Sequence, residues 1–125
     1  MKRCILFGAF AILLLSAGDC SEKKTTAGKL KARFEIKGIC SNYTIKLIEG
    51  NIDTSLYLSA WVNEATGKTH NNVFALGNPC EFPDSLKEGD EFYFTIDSAK
   101  RKECTVCMAY YPKPSRMLSI KVTNP

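Results

Sequence analysis

The chain has 125 residues, 45% of them hydrophobic, and a net charge of +4. That length supports one globular domain with its own core and excludes two comfortable ones. The mild positive excess does not argue for nucleic acid, and it falls to +3 if Lys2, Arg3 and Asp19 are removed with a leader.

Lys2 and Arg3 precede an eleven-residue apolar run, Ile5 to Leu15, which is short for a bilayer span and reads as a targeting segment. The run closes on Ser16-Ala17-Gly18-Asp19-Cys20, and a polar, lysine-rich stretch follows from Ser21 to Lys31. This pattern resembles a bacterial lipoprotein signal, departing from it at Ala17 and Asp19. The resemblance implies loss of residues 1–19, a diacylglycerol on the Cys20 thiol, and a lipid-anchored place in the cell envelope, in the periplasm or at the outer membrane. Plain secretion after cleavage at Gly18 is the alternative. Residues 20–31 then form a flexible tether, since their composition, with four lysines, buries too little apolar area to fold.

The domain is expected over residues 32–125, and its pattern is that of strands. Ala32, Phe34 and Ile36 alternate with Arg33, Glu35 and Lys37, with a bend or bulge at Gly38. Tyr43, Ile45 and Leu47 oppose Thr44, Lys46 and Ile48, and Glu49-Gly50-Asn51 ends that run. Leu56 to Val62 holds Trp61 and reads as a deeply buried strand, Glu64 to His70 as a polar turn around Gly67, and Val73 to Leu76 as a return to the sheet. The stretch from Asn78 to Ile96 combines a proline-rich crossing, the turn Glu88-Gly89-Asp90, and a strand with Phe92, Phe94 and Ile96 on one side. Met117 to Thr123 closes the chain with Leu118, Ile120 and Val122 inward. No stretch has a helical period, so five or six short strands point to an all-β barrel or sandwich.

The order of strand, Cys40, strand, long hairpin, Asn-Pro-Cys-Glu-Phe-Pro loop, Leu-Lys-Glu-Gly-Asp turn, aromatic strand, Cys104 and final Ile-Lys-Val strand resembles small OB-fold-like lipoprotein domains of Bacteroidota. The likeness covers about residues 33–123. It implies an OB-like barrel in which an early cysteine is stapled to one near the last hairpin. An immunoglobulin-like sandwich is the competing fold, although it normally needs about seven strands.

Cys40, Cys80, Cys104 and Cys107 form an even set in an exported domain, so two disulfides are expected. Three pairings are open. Joining Cys40 and Cys80 each to one of Cys104 and Cys107 constrains the unfolded chain most. A redox bond between Cys104 and Cys107 would need a thiolate at a helix N-terminus, which the flanking strands do not offer. Zinc would need a second close-spaced cysteine pair, so no metal or other cofactor is expected.

His70, the single histidine, reads as solvated beside Asn71 and Asn72. No nucleophile, acid–base pair or glycosidase carboxylates stand out, so no catalytic residue is assigned. Asn42-Tyr43-Thr44 matches the glycosylation pattern, incidental in a bacterial chain. Tyr110, Tyr111 and Arg116, in a proline-stiffened loop, are the candidate partner contact, and a hairpin loop whose tyrosines only cover the end of the barrel is the plainer reading of the same residues. The expected function is therefore non-enzymatic: an envelope-anchored binding or accessory module for a protein or glycan. The alternative is a small secreted inhibitor using the Tyr110 to Arg116 loop, with a C-x-x-C redox protein ranked below both.

Overall fold

The computed structural model describes residues 29–99 and 104–124. The expected leader, Cys20 and most of the expected tether lie outside these residues. The described chain is all-β, with β1 (Leu30–Lys37), β2 (Tyr43–Glu49), β3 (Leu58–Val62), β4 (Thr69–Leu76), β5 (Glu91–Ile96), β6 (Met117–Leu118) and β7 (Ile120–Asn124). β1 begins at Leu30, two positions before the expected domain start, because Leu30 and Lys31 pair with Phe94 and Tyr93 of β5.

All seven strands belong to one sheet ordered β3-β4-β2-β1-β5-β7, with β6 added beside β4. A single sheet is not a two-sheet sandwich, and it is not a closed barrel either. β6 runs parallel to the end of β4, while β7 runs antiparallel to β5. The last chain segment thus touches both borders of the curled sheet at staggered positions, and the sheet stays open.

That stagger splits the expected strand Met117 to Thr123. The Leu118 carbonyl accepts from Gly77 N–H at 2.9 Å, and the Ser119 carbonyl accepts from Asp97 N–H at 2.9 Å. Successive carbonyls of an extended chain point to opposite sides, so one partner lies toward β4 and the other beyond β5. Next to the split, the buried side chain of Asn78 takes a strand's place, its Nδ2 donating to the Ile120 carbonyl (2.8 Å) and its Oδ1 accepting from Ile120 N–H (3.0 Å). Asn78→Ala orphans both buried groups and is expected to cost about 2–6 kcal/mol in urea denaturation, at about 1–3 kcal/mol for each unpaired group.

The core follows from the alternation. Ala32 and Phe34 of β1, Ile45 and Leu47 of β2, Phe74 and Leu76 of β4, and Phe92 and Phe94 of β5 bury one face of the sheet. Phe82 and Leu86, from the crossing after β4, cap that face together with Leu118 and Ile120. The turn at Glu88-Gly89-Asp90 is fastened to β1, with Gly89 N–H donating to the Phe34 carbonyl and Phe34 N–H to the Asp90 carbonyl, both at 2.8 Å.

Four expectations change. β3 is an edge strand and not deeply buried: it pairs only with β4 among the described residues, Trp61 is half-buried and Val62 is exposed. His70 belongs to β4, opposite Trp61, and not to a solvated turn. Ile96 is exposed although it pairs with the core residue Ile120, and Val122 is half-buried, packed against the core beside Phe94. The bend expected at Gly38 falls just beyond it, at Cys40 and Ser41, which both take left-handed conformations with φ of 56° and 61°.

Candidate functional site

Two disulfides converge on one loop. Cys40 is joined to Cys107 (Cα–Cα 5.1 Å) and Cys80 to Cys104 (Cα–Cα 5.8 Å). Cys104 and Cys107 therefore take different and distant partners, and no bond forms between them. Non-glycine residues pay strain in the left-handed region. At Cys40 and Ser41 the conformation is held from both sides, by the bond to Cys107 and by Asn42, whose N–H and Nδ2 both donate to the Ile39 carbonyl (3.2 and 2.9 Å).

Beyond the staples, residues 104–116 have no strand or helix. The segment is nevertheless fastened along its length. Asn42 Nδ2 also donates to the Ala109 carbonyl at 3.4 Å, Pro112 and Pro114 are buried, and the Arg116 carbonyl accepts from Ala75 N–H at 2.8 Å. Tyr111 lies over Gly38, where a Cβ would stand 2.8 Å from its Cδ1 and 2.4 Å from the Asn42 carbonyl oxygen. Gly38 is thus required by close approach and not by φ.

The candidate contact residues separate. Tyr111 is half-buried against Gly38 and serves the loop's own packing. Tyr110 is 78% exposed, its hydroxyl donating to Glu64 Oε1 at 3.4 Å, and Arg116 is exposed at the loop's far end. The structure adds residues that the sequence reading did not single out: Met108 is 97% exposed, and Val106, Met117 and Ile39 are exposed too. A methionine between a disulfide cysteine and Tyr110 was the available signal. A groove of about 590 Å³ runs along the loop, walled by Met108, Tyr110, Tyr111, Lys113, Pro114 and Met117 among others. A smaller hollow of about 200 Å³ lies beside Cys40 and Cys104 and shares Asn42, Lys113 and Met117 with the groove.

Elsewhere, a ladder of charge crosses strands β1, β5 and β4. Lys31 Nζ meets Glu91 Oε1 at 3.1 Å, Arg33 bridges Glu91 (3.4 Å) and Glu35 (3.7 Å), and Glu35 Oε2 contacts His70 Nδ1 at 2.8 Å. His70 is therefore partnered rather than solvated, with its ring 5.8 Å from that of Trp61. The hydrogen bond from Lys31, then its charge, hold the Glu91 carboxyl below the ordinary glutamate range, and the same hydrogen bond raises Lys31. With the folded value depressed, the Glu91 contribution is in place above the unfolded pKa and is lost as pH falls through the folded one. Glu91→Gln is expected to lower stability slightly at neutral pH and to leave it unchanged at the acid end, so that the acid limb of the stability–pH curve flattens by that same small amount, small because the pair is open to solvent.

Among the described residues no group of three or more His, Cys, Asp or Glu side chains is placed to hold a metal ion, and no helix is long and apolar enough to cross a membrane. Comparison of the chain with protein-family models, with curated proteins and with solved structures found no match.

Proposed function

We propose that the chain is a non-enzymatic, envelope-anchored lipoprotein, tethered through Cys20, whose domain is a binding or accessory module for another envelope component. Two disulfides suit an oxidising, exported compartment. The observation that carries the reading is the stapled loop with Met108 and Tyr110 turned outward. Exposed apolar side chains on a fastened frame favour binding, because little conformational freedom is lost when a partner docks.

Placement supports the same reading. The chain enters the domain at Leu30, while Tyr111 packs on Gly38, just past the other end of β1. Eight extended residues separate the two points by about 25 Å. The chain leading from Cys20 therefore joins the domain at one end of the strand, and the loop is carried at the other.

The test is a photo-crosslinking residue at Met108 or Tyr110 in the native envelope, with Ser59 on the edge strand as control. A discrete adduct from the loop positions and none from Ser59 is the expected result, and adducts from neither or from all three contradict it. Cys20→Ala is expected to move the chain from the membrane to the soluble fraction. A wild-type chain already soluble would favour the secreted inhibitor instead.

A further inference from the structure

We infer that the groove beside the stapled loop takes an apolar side chain from an acidic peptide segment of the partner; this rests on the loop being the contact surface. The walls are amphipathic and adjustable. Two methionines, Met108 and Met117, face a volume of about 590 Å³ together with Tyr110, Tyr111 and Pro114. Methionine side chains reshape around an incoming apolar group, and the volume lies within the ordinary range for ligand sites.

Charge selects the sign of what accompanies that group. Among the described residues Lys113 is the one charged side chain on the wall, and no ion pair is made with it. Glu64, the carboxylate in contact with Tyr110, is not part of the wall. A ligand carboxylate is favoured there and an ammonium is disfavoured.

The main chain argues for a peptide rather than a sugar. Among the described residues, no backbone N–H from Thr105 to Ser115 donates to another part of the protein. These groups are available to an extended segment laid along the loop. On the wall itself, Asn42 Nδ2 is already engaged by the Ile39 and Ala109 carbonyls and the Tyr110 hydroxyl by Glu64, which leaves fewer side-chain groups for a glycan.

The methionines supply the readout. Of the three in the chain, Met1 precedes the domain, so methyl-labelled methionine in the oxidised chain from Ser21 onward reports Met108 and Met117, both on the groove wall. The probe is the capped tripeptide aspartyl-phenylalanyl-aspartate, titrated beside its asparagine-flanked and lysine-flanked counterparts. Saturable shifts of both methyls are expected, with the acidic peptide binding roughly two- to fivefold tighter than the neutral one, as one exposed ion pair allows. Lys113→Glu is expected to reverse the order of the acidic and lysine-flanked peptides. Equal binding of all three, or no saturable shift, overturns the inference. A crosslink at Tyr110 without methyl shifts sinks the acidic-peptide assignment alone, whereas absence of the crosslink sinks the contact surface itself.

Discussion

Replacing Cys40 and Cys107 together by serine is expected to remove about 4 kcal/mol of stability, and replacing Cys80 and Cys104 about 3 kcal/mol, by the loop-closure entropy each bond withholds from the unfolded chain. The order follows from sequence separations of 67 and 24 residues. Two further effects modify the sizes. The smaller loop lies inside the larger, so each bond shortens the effective loop that the other closes; each single loss is somewhat reduced, and losing both should cost slightly more than the sum of the two single losses. Removing the Cys40 bond also frees Cys40 and Ser41 to leave their left-handed conformations, which offsets part of the loss. A loss of about 4 kcal/mol lowers the melting temperature of a domain this size by on the order of 20 °C. Calorimetry of the two double variants checks both sizes and order. A larger loss from the shorter loop would place the main constraint somewhere other than chain entropy.

Phe34→Ala is expected to cost about 3–5 kcal/mol, the range for truncating a buried aromatic. Phe34 is 1% exposed, and its ring packs edge-on against Tyr43 at 4.9 Å and Phe82 at 5.0 Å, with Phe82 in turn 5.5 Å from Phe92. The value should fall in the upper part of the range. Phe82 sits two residues after Cys80, so the cavity loosens both the sheet and the crossing that carries one staple. Half-buried Tyr93, on the opposite side of β5 from Phe92, supplies the comparison. Its replacement by alanine should cost a small fraction of the Phe34 loss in the same urea titration, and equal losses would contradict the assignment of the core face.

The alternation in β1, β2 and β5 was readable because every second residue is apolar and the sheet buries one side of each strand. Trp61 was misread for a related reason. A large aromatic in an apolar run suggests the interior, but the position of β3 at the border of the sheet comes from strand order, which no local pattern encodes. His70 was misread because Asn71 and Asn72 look like turn residues. Asn72 does take a positive φ of 57°, but it does so inside β4, where His70 pairs with Trp61 and meets Glu35 from β1, 35 residues away in sequence. The last strand was legible as apolar alternation, while its change of partner at Ser119 depends on hydrogen bonds from Gly77 and Asp97. At the loop, prolines and tyrosines marked the location. Which tyrosine faces outward depends on the missing side chain of Gly38, visible only once the two segments are side by side.

The claim on which the rest stands is that two nested staples hold the Met108 and Tyr110 loop in place. Non-reducing peptide mapping of the native protein tests it, provided the peptide carrying both Cys104 and Cys107 is fragmented between them. The expected result is Cys107 linked to Cys40 and Cys104 linked to Cys80, with no free thiol among the four. A Cys104–Cys107 bond, or free Cys40 and Cys80, would contradict it and leave the loop without its frame.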